Sequence, residues 1–168
     1  MFSDSVGFVL ASKPPQPVTG PTYHLAESSN SHIKISFDPL VSDLETGGSQ
    51  ILSYNLEIDR SDDNFVDVFG GSEIDTYTTE ALIGAPLVEE GFVFGFRFRA
   101  RNVYGWSEWS PVTYALAATV PSTPLAPSFV SATANTISVN LHPSTKANGS
   151  PITEYELHMN DGFEGSEF

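Results

Sequence analysis

The chain has 168 residues, 21 of them acidic and 7 basic, for a formal net charge of −14, and it has no cysteine. That composition excludes a disulfide scaffold, a Cys-ligated zinc site and a thiol nucleophile. It also argues against a nucleic-acid-binding surface, which needs clustered Lys and Arg. Hydrophobic residues at 40% suffice for a packed core, no apolar run approaches the roughly 20 residues that span a bilayer, and the start carries Asp4 and no basic region, unlike a secretory signal.

Prolines and glycines punctuate short apolar segments, and period-two alternation marks half-buried strands. Ile33, Ile35 and Phe37 alternate with Lys34 and Ser36, and Asp38-Pro39 ends the run. Tyr54, Leu56 and Ile58 alternate with Asn55, Glu57 and Asp59 before a polar loop over Arg60 to Asn64. Phe65 to Phe69 and Thr76 to Leu82 are shorter strands. The clearest run places Phe94, Phe96, Phe98 and Ala100 on one face and Gly95, Arg97, Arg99 and Arg101 on the other. A one-residue slip would drive three guanidinium groups into the core, so its register is fixed. Val112 to Leu116 follows. About seven short strands with turns between them predict an all-β sandwich of roughly 100 residues.

The chain also repeats itself. Gly48-Ser49-Gln50-Ile51-Leu52-Ser53-Tyr54-Asn55-Leu56-Glu57-Ile58 returns as Gly149-Ser150-Pro151-Ile152-Thr153-Glu154-Tyr155-Glu156-Leu157-His158-Met159. Ile33 to Pro39 returns as Ile137 to Pro143, and proline links, Lys13 to Pro17 and Val120 to Pro127, precede each copy. A weaker echo relates Val6–Ala11 to Val112–Ala117. Residues 13–119 read as one complete module. Residues 1–12 read as the last strand of a preceding module or a linker, and 120–168 as the first half of a second module. The expectation is a window on a longer array, or a half sandwich completed by strands from neighbouring chains.

The run Phe94-Gly95-Phe96-Arg97-Phe98-Arg99-Ala100-Arg101-Asn102-Val103-Tyr104-Gly105 resembles the pattern of the fibronectin type III family. The resemblance covers nearly the whole chain and implies an immunoglobulin-like, seven-stranded β-sandwich. Three positions depart from it. Phe94 replaces the corner tyrosine, Phe37 and Leu141 stand where the second strand carries tryptophan, and Val88 replaces a leucine before Gly91. All three keep apolar bulk.

Trp106-Ser107-Glu108-Trp109-Ser110 matches the WSxWS sequence of cytokine-receptor modules, a branch of this family. Arg97, Arg99 and Arg101 project from a wet face just before it, and guanidinium planes can slot between indole faces at about 0.5–1 kcal/mol per stack. The reading is a structural ladder that stiffens the module.

Other chemistry is weak. Asp59, Asp62, Asp63 and Asp67 lack the glycine and closing glutamate of a calcium loop, so a solvated hairpin is expected. Weak calcium binding between modules, at Glu27, Asp43 or Glu45, stays open. His24, His32, His142 and His158 have no metal-ligand spacing and read as surface residues. No serine triad, desolvated carboxylate pair or phosphate loop is present, so neither an enzyme nor a cofactor is expected. Asn148-Gly149-Ser150 is the one glycosylation sequon. The resemblance and the repeats point to a structural or adhesive tandem array, a spacer and protein-interaction element within a filament or at the cell surface. Its partners would be copies of itself or neighbouring modules, with no nucleic acid and no membrane insertion in this segment. The alternatives are a cytokine-receptor-like ectodomain and an intracellular cytoskeletal or ciliary scaffold.

Overall fold

The computed structural model describes residues 10–71 and 74–160. The strand expected over Val6–Ala11 falls mostly outside them. Among the described residues ten strands occur in chain order: β1 (Thr22–Tyr23), β2 (Ile33–Ser36), β3 (Ser53–Asp59), β4 (Val66–Phe69), β5 (Glu80–Ile83), β6 (Val93–Asn102), β7 (Gly105–Trp106), β8 (Thr113–Leu116), β9 (Ser128–Ala132) and β10 (Ile137–Asn140). One sheet has the order β1-β2-β5; the other runs β4-β3-β6, with β7 and β8 both pairing with β6. All pairings are antiparallel.

The two sheets bury the faces that alternation marks. Ile33, Ile35 and Phe37 meet Tyr54, Leu56, Ile58, Phe94, Phe96 and Phe98, all buried. Burying each phenylalanine contributes about 1.5–3 kcal/mol. Phe37 and Phe98 stack with ring centroids 4.0 Å apart and planes 8° from parallel, so Phe37 fills the place where the family pattern has tryptophan. Val88 is buried as well. Tyr54 keeps its hydroxyl satisfied by accepting the Leu40 N–H at 2.8 Å.

Between β2 and β3 lies a one-turn helix, α1 (Asp43–Thr46). Its signature, Ser42-x-x-Glu45, is a capping box in which the Ser42 side chain accepts the Glu45 N–H. The Ser42 N–H donates to Glu45 Oε2 at 3.0 Å, and left-handed Gly47 ends the turn.

Several strands differ from the sequence expectation. The run expected over Thr76–Leu82 becomes a strand only at Glu80–Ile83. Before it, the Thr76 and Thr79 carbonyls take single hydrogen bonds from Tyr54 and Phe37 as the chain crosses from one sheet to the other. β1 and β7 are two residues each, too short to show a period. In the second copy β9 and β10 pair as a hairpin with a register shift between Ser138 and Val139. The repeat of β3, Glu154–Met159, is not a strand. β3 itself is held between β4 and β6, and no strand stands in either place beside 154–159 among the described residues. The alternation is present there, but a strand needs a hydrogen-bonding neighbour.

Candidate functional site

The ladder is built from the register of β3 and β6. Glu57 lies opposite Arg97, Asn55 opposite Arg99, and Ser53 opposite Arg101. These positions share one face, so the polar residues of β3 serve the arginines of β6. Arg97 donates from Nε and Nη2 to Glu57 Oε2 at 2.9 and 2.7 Å. The Arg99 Nε donates to Asn55 Oδ1 at 3.1 Å. Arg101 pairs with Asp75.

Aromatic rings interleave with the guanidinium groups. The Arg97 Cζ lies 3.6 Å from the Phe65 centroid and 4.4 Å from that of Trp109. Arg99 sits 4.1 Å from Trp109 and 4.6 Å from Trp106, and Arg101 lies 5.5 Å from Trp106. The stack therefore runs Phe65, Arg97, Trp109, Arg99, Trp106, Arg101. Burial draws the Arg99 pKa below its ordinary value, partly offset by the Glu57 and Asp67 carboxylates; an arginine stays charged regardless.

The serines of the motif explain why its aromatics stay in place. Ser107 and Ser110 N–H groups donate to the Ala100 and Phe98 carbonyls at 2.8 and 2.9 Å. In return, Ser107 Oγ accepts the Ala100 N–H at 3.2 Å and Ser110 Oγ accepts the Phe98 N–H at 3.0 Å. Each serine thus closes a two-way link to β6, extending the sheet edge where β8 no longer pairs. The two serines, three residues apart, link to Ala100 and Phe98, two residues apart on β6. Trp109 lies between them over Arg97 and Arg99, and Trp106, in β7, lies just before them opposite Arg101.

All five expected members, Arg97, Arg99, Arg101, Trp106 and Trp109, come together. Four further residues join them: Phe65, Asn55, Glu57 and Asp75. Asn55 and Glu57 were legible as the polar face of a strand, but pairing them with arginines needs the register. Asn55 is fully buried, with its Nδ2 donating to Asp67 Oδ1 at 2.7 Å and to the Phe69 carbonyl at 2.9 Å.

The remaining candidates have local roles. Asp59 is buried and its Oδ1 accepts the Asp62 and Asn64 N–H groups at 3.1 and 3.2 Å, holding the hairpin loop. Desolvation pushes the Asp59 pKa up, but a hydrogen bond with the Asp62 side chain, together with those from the backbone N–H groups of Asp62, Asn64 and Asp63, outweighs it and holds it below its ordinary value. No group of three or more His, Asp or Glu is arranged to hold a metal among the described residues. His24 meets Ser36 Oγ at 2.7 Å, His32 meets Ser29 Oγ at 2.9 Å, and His142 meets Ser128 Oγ at 3.1 Å. His158 lies 3.4 Å from Glu156. Asn148 is half-buried, and its Nδ2, the atom a glycan would occupy, donates to the Val120 carbonyl at 2.8 Å. No helix among the described residues is long and apolar enough to cross a membrane.

No family model matches the chain. Among solved structures similar to it is the solution structure of the fourth fibronectin type III domain of a human protein. It superposes with a TM-score of 0.53 at 23% identity, over 74% of this chain and 95% of that one. The sixth fibronectin type III domain of human fibronectin type III domain containing protein 3 matches at 0.48 and 18%, over 72% and 97%. A crystal structure of titin domains matches at 0.45 and 18%, over 64% of this chain and 32% of that one. With the sheet order and aromatic core described above, the chain has the fibronectin type III fold, an immunoglobulin-like β-sandwich.

Proposed function

We propose that the chain is a non-catalytic segment of a structural or adhesive tandem array, in which sandwich modules joined by short proline links act as spacers and bind one another. Residues 13–119 are one module, 1–12 belong to the end of an earlier one or to a linker, and 120–168 begin the next. The observation that carries this reading is the joint. The Thr119 N–H, at the end of the first module, donates to the Asn148 carbonyl of the second at 2.9 Å, and within the second the Ser122 N–H donates to the Lys146 carbonyl at 3.0 Å, so the joint is hydrogen-bonded rather than free. Proline links stiffen such spacers further. The ladder serves the array by stiffening each module. Electron microscopy of the native polypeptide tests the reading: a rod of like-sized beads supports it, and a single compact particle without repetition overturns it.

One observation favours a receptor ectodomain instead. An open, largely apolar groove of about 670 Å³ lies at the joint, lined in part by Leu25, Leu116, Val120, Pro121 and Ile152. Under that reading a soluble protein seats there, and Leu25→Glu or Val120→Glu abolishes its capture. A glycan on Asn148 in the native protein would place the segment outside the cell and exclude the intracellular scaffold.

A further inference from the structure

The two copies place unlike residues in the same turn. The repeat reads Gly47-Gly48-Ser49 in the first and Asn148-Gly149-Ser150 in the second. The residues before the serines are all left-handed, with φ of 69° and 71° in the first copy and 54° and 90° in the second. In the first copy the Gly48 N–H donates to the Asp43 carbonyl at 2.8 Å. In the second the Gly149 N–H has no acceptor among the described residues. Asn148-Gly149 is also the one Asn-Gly pair in the sequence. A glycine after asparagine leaves the main-chain nitrogen unshielded by a Cβ, so that nitrogen and the side-chain amide can react with each other.

The same asparagine ties the joint. Its Nδ2 donates to the Val120 carbonyl at 2.8 Å, and its own carbonyl accepts the Thr119 N–H at 2.9 Å. A Cβ at Gly149 would lie 2.5 Å from the Ala117 carbonyl oxygen and 3.1 Å from the Gly91 nitrogen, so the turn sits against the end of the first sandwich without room for another carbon. Asn148 is only half-buried, and water reaches it.

We infer that Asn148 is a site of spontaneous deamidation whose conversion unlocks the joint, because the amide that is lost is the one bonded to Val120 and the nitrogen that attacks it carries no hydrogen bond of its own. When the joint opens transiently, Nδ2 leaves the Val120 carbonyl. Hydroxide takes the Gly149 N–H proton and the nitrogen attacks Asn148 Cγ. The N–Cγ bond forms, the Cγ–Nδ2 bond breaks, and Nδ2 departs as ammonia with a proton from water, which restores the hydroxide. Water then opens the five-membered imide at either carbonyl, leaving an aspartate or its β-linked isomer. A carboxylate only accepts hydrogen bonds, so the oxygen that replaces Nδ2 faces the Val120 carbonyl, acceptor against acceptor. The isomer adds a carbon to the main chain in a turn that has no space for it. Either product withdraws the acceptor of the Thr119 N–H, and loss of ammonia makes the change run one way. This inference rests on the array reading, in which the joint is fixed.

Ageing the full chain in mildly alkaline buffer tests it, with peptide mass mapping and amide hydrogen exchange on the same samples. Asn148 should convert ahead of the other asparagines, with the mass rise of an NH2 replaced by OH. Exchange at Thr119 should accelerate about five- to tenfold in the converted fraction, the factor that one hydrogen bond is worth. Fresh Asn148→Asp should show the same acceleration. Asn148→Ala has no carboxamide to lose, so ageing should leave its exchange at Thr119 unchanged. Three results would each overturn the inference: no detectable conversion over the time that converts a synthetic peptide of residues 145–151, conversion with Thr119 unaltered, or acceleration on ageing in Asn148→Ala. The fresh wild type separates this from the array reading. Rapid exchange at Thr119 there contradicts the fixed joint and takes the inference with it, whereas slow exchange that outlasts conversion removes only the deamidation switch.

Discussion

Arg99 is held between two indoles, its Cζ 4.1 Å from the Trp109 centroid and 4.6 Å from that of Trp106. Trp109 in turn has a guanidinium on each side, since Arg97 lies 4.4 Å away. Removing Trp109 therefore breaks two stacks at about 0.5–1 kcal/mol each and uncovers β6. Trp109→Ala in the full chain should lower the melting temperature by roughly 10 °C, by the usual conversion for a domain of this size. An unchanged melt would mean that the ladder stabilises nothing and would strengthen a binding role. Arg99→Lys keeps the charge but loses the planar stack, so its loss should be smaller but still measurable.

The serines make a sharper test, because their effect is local. Ser110→Ala leaves the buried Phe98 N–H without the acceptor it has at 3.0 Å, an expected loss of about 1–3 kcal/mol. Hydrogen exchange should accelerate at Phe98 and leave Ala100 slow, and Ser107→Ala should do the reverse. Equal acceleration at both sites would mean that the two links open as one unit.

Phe37 ties the sheets together. Phe37→Ala empties the space above Phe98 and should cost about 3–5 kcal/mol in urea unfolding. A loss below about 1 kcal/mol would show that the stacked pair is not central to the core.

Acid should loosen the loop that Asp59 organises. Its folded pKa lies below the ordinary value, so its stabilisation is fully present above about pH 4 and is lost as pH falls through the lower folded value. Glu80, held low by its hydrogen bond from Lys34, and Glu45, held low by the Ser42 side chain, act in the same direction. Asp59→Asn keeps an acceptor oxygen but no charge. The gap in melting temperature between wild type and Asp59→Asn should narrow from pH 5 to pH 3; a constant gap would show that ionisation of Asp59 is irrelevant.

The parts of this fold that were legible in the sequence are those with a strong local period. Phe94 to Arg101 could take only one register, and Ile33 to Phe37 was equally plain. The partners of the arginines were not legible, because Glu57 and Asn55 become neighbours of Arg97 and Arg99 only when β3 pairs with β6. Phe65 reads as the start of a strand in the sequence but stands just before β4, and nothing in its local pattern marks it as the cap of the stack. Asp59 looked like one more solvated carboxylate, and only the closing of its loop shows that it is buried. For Glu154–Met159 the error ran the other way: the pattern of a strand was present without a neighbour to pair with.

The most direct measurement is a double-mutant cycle between Arg99 and Trp109 in the full chain, read by denaturant unfolding of the wild type, Arg99→Ala, Trp109→Ala and the double variant. If the interleaved stack holds the sandwich face together, the two losses should fall short of additive by about 0.5–1 kcal/mol or more. Losses that add to within about 0.3 kcal/mol would contradict a ladder and leave five side chains that merely lie close together.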